Sequence, residues 1–137
     1  MTPECFGKVL RDGVAKGELA FTAKADVEVV TEQYSKAFEA AFSFVAELNY
    51  AALRWSDEQM KSLAQAITYA REHGGLTLCN EVDVTDNDAS EAGLLALIDA
   101  LAGAGCLLDA RSNHLWSKAG EAAVRKAAED NNVKVYL

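Results

Sequence analysis

The sequence has few of the residues on which catalysis and metal binding depend. Its two histidines, His73 and His114, fall in separate loops, with no serine or cysteine in an order typical of a catalytic triad. Its three cysteines form no C-x-x-C pair, so neither a disulfide framework nor a zinc site is indicated. Cys79 and Cys106 stand where small apolar residues would serve, which predicts buried free thiols and a reducing compartment. We therefore predict no catalytic residue, no metal ligand and no cofactor, and a chain that is not an enzyme.

The chain also lacks an excess of basic residues and a long apolar run. It has 13 basic residues against 21 acidic ones, a net charge of −8, which argues against nucleic acid as the main partner. No apolar run approaches the roughly 18 residues that indicate a transmembrane segment, and the first residues carry no signal-peptide pattern. The length of 137 residues, half of them hydrophobic, is typical of one domain with a continuous core. We expect an intracellular location, cytoplasmic or organellar, where a transit peptide could have been removed.

Two helices are predicted in residues 1–43. Thr2 and Pro3 form a helix start, and an apolar stripe continues this helix to about Ala15. A stronger stripe of apolar residues at helical spacing runs from Asp26 to Phe42. These helices are expected to act as a cap over the open edge of a following sheet, or as an arm that holds a partner.

Residues 79–101 predict one strand, one turn and one helix. Val82 and Val84 alternate with polar residues, as in a strand with one buried face. Asn87 lies in the turn, and Ser90 can cap a helix whose leucines recur at helical spacing. This unit is too small to bury its own apolar face, so it needs neighbours of the same kind.

The same unit occurs three times between residues 44 and 137. Ser56, Ser90 and Ser117 are 34 and 27 residues apart, and aligning them brings apolar residues into equivalent positions seven and eleven residues later. A period of about 30 residues, with a strand followed by a helix, is typical of a stacked solenoid. We assign the repeats to residues 44–74, 75–104 and 105–137, and expect a last strand near the end of the third.

The second repeat resembles the leucine-rich repeat family, in its ribonuclease-inhibitor type. That family's unit, L-x-x-L-x-L-x-x-N-x-L-x-x-x-G-x-x-x-L-x-x-x-L, is matched in order by Cys79, Val82, Val84, Asn87, Ala89, Gly93, Leu97 and Leu101. The third repeat keeps the asparagine and the glycine as Asn113 and Gly120, whereas the first has Leu53 and Gln59 there. The resemblance implies an α/β fold: a short leucine-rich-repeat solenoid of parallel strands with convex-side helices, preceded by the N-terminal helices as a cap.

Two kinds of residue in this pattern have an expected structural role. The amides of Asn87 and Asn113 can bond backbone groups in the turns that follow the strands. Gly93 and Gly120 fall in the first turn of a helix, where the lack of a side chain permits close packing. These four residues are therefore expected to shape the repeats and not to bind a partner.

The resemblance also implies a function, because this family usually binds proteins through the concave strand face. The residues expected there as partner-binding residues are Asn49, Asp83, Asp109, Arg111, Lys134 and Tyr136. Trp116 is a candidate exposed anchor. The column that Asn49, Asp83, Asp109 and Lys134 form across the strands is mainly acidic. It predicts a protein partner with a basic or polar docking surface. We expect a non-enzymatic binding or scaffold module, an accessory subunit associated peripherally with a larger assembly, for example an organellar one.

Ser90 supports a competing hypothesis. Residues 83–101 also look like the strand-to-helix segment of STAS-type domains of anti-sigma-factor antagonists, in which a serine at a helix start is phosphorylated. Phosphate on Ser90 would meet a favourable helix N-terminus. The internal repeat counts against this hypothesis, because that fold does not need Ser56 and Ser117 in equivalent places. A regulatory domain switched by phosphorylation of Ser90 is thus the alternative.

Overall fold

Helices and strands alternate along the chain after two initial helices. A computed structural model describes residues 1–23, 25–113 and 117–137. Within these ranges the elements are α1 (Pro3–Ala15), α2 (Asp26–Ser43), β1 (Glu47–Asn49), α3 (Asp57–Glu72), β2 (Glu81–Asp83), α4 (Glu91–Leu101), β3 (Leu107–Asp109), α5 (Lys118–Asp130) and β4 (Lys134–Tyr136). No helix in the described ranges combines the length and the apolar character that crossing a bilayer requires.

Serine side chains begin the last three helices. Ser56, Ser90 and Ser117 are the N-caps of α3, α4 and α5, and each hydroxyl accepts a backbone N–H from the first helical turn. Ser56 also forms a capping box, in which Oε1 of Gln59 accepts the N–H of Ser56 at 3.0 Å. The serines that align in the sequence therefore hold the same place in three helices.

The strands form one parallel sheet in the order β1-β2-β3-β4. Leu48 is paired with Val82, and Val82 with Leu108. Since parallel neighbours need a crossover connection, α3, α4 and α5 supply the three crossovers. The predicted α/β class with a parallel sheet is confirmed, as is the side-by-side placing of these three strand residues.

Each of the turns after β1, β2 and β3 has the same backbone conformation at the same place. Ala52, Asp86 and Ser112 each lie four residues beyond the paired strand residue, and their φ angles are 57°, 54° and 59°. Backbone hydrogen bonds join these turns, from Ala52 N to Thr85 O at 2.9 Å and from Asp86 N to Arg111 O at 3.1 Å. The turns therefore stack on one another as the strands do.

The core lies between the sheet and α3, α4 and α5. Its largest fully buried apolar side chains are Met60, Ile67, Leu94, Leu97, Ile98, Leu101, Leu108, Val82, Val84 and Val124. Cys79 and Cys106 are buried there as free thiols, as predicted. Burial raises the pKa of Cys106 to about 12, and its thiol donates to the carbonyl of Cys79 at 2.7 Å.

Helices α1 and α2 form a hairpin that joins the rest of the chain through aromatic contacts. The ring of Phe6 stacks on Tyr34 at 4.1 Å, and Phe38 stacks on Phe42 at 4.6 Å. Phe38 also meets Tyr69 of α3 edge-on, with ring centroids 5.5 Å apart. Residues 1–43 thus form the hairpin, and residues 44–137 form the repeat unit.

Candidate partner-binding surface

The side of the sheet that faces away from the helices carries the polar strand residues. Because side chains alternate along a strand, the middle residue of each strand points to the helices and its two neighbours point the other way. The strand face is defined here as Glu47, Asn49, Glu81, Asp83, Leu107, Asp109, Lys134 and Tyr136, together with Arg111 just after β3. Every residue that the sequence predicted for partner binding lies on this face.

Strand pairing arranges the strand face in two rows. One row is Glu47, Glu81, Leu107 and Lys134, and the other is Asn49, Asp83, Asp109 and Tyr136. The acidic groups belong to β1, β2 and β3, whereas the last strand has only a lysine and a tyrosine. The charge of the face therefore changes from one edge to the other.

Three members of the second row have a structural role that the sequence analysis missed. Oδ1 of Asn49 accepts the N–H of Ala51 at 3.1 Å, and Oδ1 of Asp83 accepts the N–H of Thr85 at 2.9 Å. Asp109 accepts the N–H of Arg111 in the same way, at 3.3 Å. An asparagine or aspartate that bonds the residue two places on starts a turn. The sequence did contain a signal for this role, because an asparagine or aspartate is the last residue of three successive strands.

Asp109 is buried, although its place on the outward side of its strand predicted exposure to solvent. It is only 4% exposed, and the guanidinium of Arg111 folds back on it, with Nη2 2.5 Å from Oδ2 and Nε 2.9 Å from Oδ1. The hydrogen bond from Arg111 lowers the pKa of Asp109, while burial opposes that shift. The carboxylate of Asp109 is therefore already paired within the chain.

Cations surround an aromatic ring at the opposite edge of the strand face. The guanidinium carbon of Arg111 lies 5.8 Å from the ring centroid of Tyr136, and Nζ of Lys134 lies 5.2 Å from it. The side chain of Arg111 remains 62% exposed, and Tyr136 is 42% exposed. This edge therefore offers positive charge and an aromatic surface together.

The asparagines of the turns join one repeat to the repeat before it. Oδ1 of Asn87 accepts the N–H groups of Leu53 and Trp55 at 3.1 and 2.9 Å. Its Nδ2 donates to the carbonyls of Tyr50 and Val84 at 2.8 and 3.0 Å, and more weakly to that of Thr85. The amide thus satisfies backbone groups of two successive turns.

Asn113 repeats this arrangement one turn further on. Its Oδ1 accepts the N–H of Ala89 at 3.1 Å, and its Nδ2 donates to the carbonyls of Val84 and Ala110 at 3.1 and 2.9 Å. Ala89 aligns with Trp55, and Val84 aligns with Tyr50. All three hydrogen bonds of Asn113 therefore have an equivalent among the five of Asn87.

Carboxylates of α3 and α4 reach the start of the next helix. Asp57 accepts hydrogen bonds from the backbone N–H and the hydroxyl of Ser90, at 2.7 and 2.5 Å, and from the N–H of Gly93 at 3.2 Å. Burial alone would raise the pKa of Asp57, but these bonds together hold it below its ordinary value. In the next repeat, Oε1 of Glu91 and the hydroxyl of Ser117 are 3.1 Å apart.

The two glycines sit beside these carboxylates. A Cβ on Gly93 would be 2.7 Å from Oδ1 of Asp57 and 3.0 Å from Cβ of Met60, and a Cβ on Gly120 would collide with the side chain of Glu91. Neither position can take a side chain unless its neighbours move. Both glycines therefore permit close approach of successive helices.

A second surface, which the sequence analysis did not single out, is an aromatic cleft between α2 and the first repeat. Its volume is about 380 Å³, and five aromatic residues line it: Tyr34, Phe38, Phe42, Tyr50 and Trp55. Trp55 is half-buried in it and stacks on Tyr50, with ring centroids 4.9 Å apart. The candidate anchor Trp116 lies outside the described residues.

Comparison of the chain with protein-family models, with curated proteins and with solved structures found no match. Within the described ranges, histidine, cysteine and carboxylate side chains do not gather in a group of three or more that could hold a metal ion. What this surface can bind must therefore be inferred from its own side chains.

Proposed function

We propose that the chain is a short leucine-rich-repeat solenoid that acts as a non-enzymatic protein-binding module, and that the strand face is its docking surface. The observation that carries the proposal is the equivalence of the repeats. Asn87 and Asn113 make matching bonds to the preceding turns, and Gly93 and Gly120 make matching close approaches. This equivalence supports a stack of identical units, in which one face of the sheet is left for contact with other molecules.

The strand face suits the recognition of a protein more than the conversion of a small molecule. Its charged and polar side chains lie in two rows across consecutive strands. They do not form the enclosed apolar walls of a typical ligand pocket. Among the described residues, none of the carboxylates of Glu47, Glu81 and Asp83 has an ion-pair partner. A docking segment with basic or polar side chains would complement them.

A docking function also fits the small size of the sheet. Four short strands make a narrow surface, which suits one neighbouring segment better than a large ligand. We therefore propose an accessory subunit that associates with a larger assembly, in the cytoplasm or in an organelle.

The alternative, a STAS-like switch phosphorylated on Ser90, has less support. The hydroxyl of Ser90 already donates to the carboxylate of Asp57 at 2.5 Å, and Glu91 is the next residue. A phosphate on this oxygen would displace the hydrogen bond and bring negative charge against two carboxylates. Modification here would therefore disturb the contact between α3 and α4, and it would not complete an anion site.

Affinity capture from an extract of the source organism tests the proposal. The immobilised full chain is compared with the strand-face variant Glu47→Lys/Glu81→Lys and with the control Glu58→Lys/Glu129→Lys, whose exposed sites lie on helices and which has the same change in charge. We expect a specific protein to be retained by the wild type and the control and lost by the strand-face variant, with equal thermal unfolding of all three. Equal retention by all three chains would contradict the use of this face.

A further inference from the structure

We propose that the strand face binds an extended polypeptide segment that has cationic residues at one end and an acidic residue at the other. The cationic residues lie over the acidic half of the face, on β1 and β2, and the acidic residue lies over the cationic half, on β4. This inference rests on the proposed function and specifies the partner for the same surface. It adds an acidic residue to the sequence-based expectation, which was a protein partner with a basic or polar docking surface.

The division of the face follows from the pairing of Asp109. The acidic half of the strand face consists of Glu47, Glu81 and Asp83 on β1 and β2, and it ends there because Asp109 is buried and neutralised by Arg111. Within the described part of the chain, this is the only ion pair that involves strand-face residues. Among the residues that the structure describes, the carboxylates of Glu47, Glu81 and Asp83 on β1 and β2 therefore have no cationic partner.

The other half of the face has the opposite character. Nζ of Lys134 lies over the ring of Tyr136, and the exposed guanidinium of Arg111 approaches the same ring from β3. Arg111 has two of its donors on Asp109, so Lys134 is the cation of this half that has no carboxylate partner among the described residues. A carboxylate of the partner is the group that fits here, since an ammonium beside an aromatic ring leaves donors free for an anion.

Strand spacing sets the distance between the partner's charges. Neighbouring strands lie about 4.8 Å apart, so Glu47 on β1 and Lys134 on β4, in the same row, are about 14 Å apart. An extended segment advances about 3.3 Å per residue and places every second side chain on one side, so positions i, i+2 and i+4 cover about 13 Å. A segment crossing the strands can therefore place two cations over β1 and β2 and an acidic residue over β4.

A second copy of the chain fits this face less well. A two-fold axis would pair the acidic half of one copy with the cationic half of the other, which satisfies the charges. Stable homodimer interfaces, however, bury a largely apolar surface, and Leu107 and Tyr136 are the only large apolar or aromatic side chains of the face. An extended segment needs no such surface.

Peptide binding to the full-length chain tests the inference. The probes are three capped, fluorescent peptides with the cores Arg-Thr-Arg-Thr-Glu, Arg-Thr-Glu-Thr-Arg and Arg-Thr-Arg-Thr-Arg, measured by fluorescence anisotropy at low ionic strength. The first two have the same composition and net charge, so they differ only in where the acidic residue stands. We expect the first to bind about tenfold more tightly than the second, the product of two exposed ion pairs worth about threefold each. The wild type should also prefer the first peptide to the third, the all-arginine core, and the variant Lys134→Glu should invert that second preference.

The outcomes separate this inference from the proposed function. Equal binding of the first two peptides, or no change of preference in Lys134→Glu, would overturn the divided face, whether or not the Glu47→Lys/Glu81→Lys variant loses the captured protein. Sedimentation that shows a dimer of the wild type and a monomer of Lys134→Glu would also overturn it, because a second copy would then occupy the face. Failure of the proposed function would appear instead as equal capture by all three chains in the extract experiment.

Discussion

The hairpin and the repeat unit of this protein are held together in different ways. Helix α1 buries three residues and α2 buries two, whereas α3 alone buries seven. Side-chain bonds of the hairpin are mostly local, such as those of Lys8 with Asp12 and of Ser35 with Glu39, four residues apart. Exposed bonds of this kind contribute little to stability.

The repeat unit is linked by bonds between positions that are far apart in the sequence. Asn87 bonds groups 32 to 37 residues away, and Asp57 bonds groups 33 and 36 residues away. Each such bond joins a side chain of one repeat to a polar group of the neighbouring repeat, so losing one repeat leaves polar groups of another without their partner. We infer that the repeat unit unfolds as one cooperative body, and that the hairpin can detach from it at a lower free energy.

The largest expected difference between the two regions concerns their cysteines. Cys5 of the hairpin is exposed, whereas Cys79 and Cys106 of the repeat unit are buried. Since burial raises the pKa of Cys106 to about 12, the thiolate fraction near pH 8 falls about a thousandfold or more relative to an ordinary thiol. Alkylation of the native protein followed by mass spectrometry should label Cys5 at once, and the other two only at the rate of unfolding. Rapid labelling of all three would contradict a cooperative repeat unit.

The next largest effect is expected from the variant Asn87→Leu. It leaves the carbonyls of Tyr50 and Val84 and the N–H groups of Leu53 and Trp55 without their side-chain partner. The free energy of unfolding, measured with urea, should fall by about 3 kcal/mol or more. The matched control is Leu53→Ala, at the aligned position of the first repeat: the substitution keeps the backbone N–H that Asn87 accepts and removes only an exposed apolar side chain, so the change should be within about 0.5 kcal/mol. Similar losses for both variants would show that the amide is not what couples the turns.

A smaller and pH-dependent effect is expected from Asp57→Ala. The pKa of Asp57 is lower in the folded protein than in the unfolded chain, so its stabilising effect is present above the unfolded pKa and is lost as the pH falls through the folded pKa. At pH 7 the variant should be about 2 kcal/mol less stable than the wild type, and the difference should shrink below about pH 4. Urea unfolding at pH 7, 5 and 3 measures it, with the exposed Asp88→Ala as control. A difference that is constant with pH would indicate lost packing and not a lost carboxylate.

The sequence predicted the elements well because their signals are local. Alternation around Val82 and the alignment of Ser56, Ser90 and Ser117 were enough to obtain the strands, the helix starts and the strand pairing. The burial of Asp109 could not be predicted, because it depends on the conformation of the Arg111 side chain.

The contact of Asp57 with the next helix and the aromatic cleft were missed for a related reason. Asp57 is an acidic residue in the first turn of α3, where acidic residues are common, and its partner Ser90 is 33 residues away in the sequence. The cleft forms where α2 packs against the first repeat, and no periodicity in the sequence predicts that packing. Side chains that join distant segments are thus the features that only the structure supplied.

The smallest effect on global unfolding is expected from Phe38→Ala, although it should be the most specific for the hairpin. Phe38 is one of two residues that α2 buries, and it supplies the stack on Phe42 and the edge contact with Tyr69. If the hairpin detaches independently, amide hydrogen exchange of α1 and α2 should become at least about tenfold faster, a loss of about 1.4 kcal/mol of local stability. Exchange of α4 and β2 should hardly change, because their protection comes from the contacts between repeats. The control Phe44→Ala replaces an exposed phenylalanine just after the hairpin and should leave both regions unchanged. Equal acceleration in α1 and in α4 would mean that the two regions open together, and the contrast between them would then be one of burial and not of cooperativity.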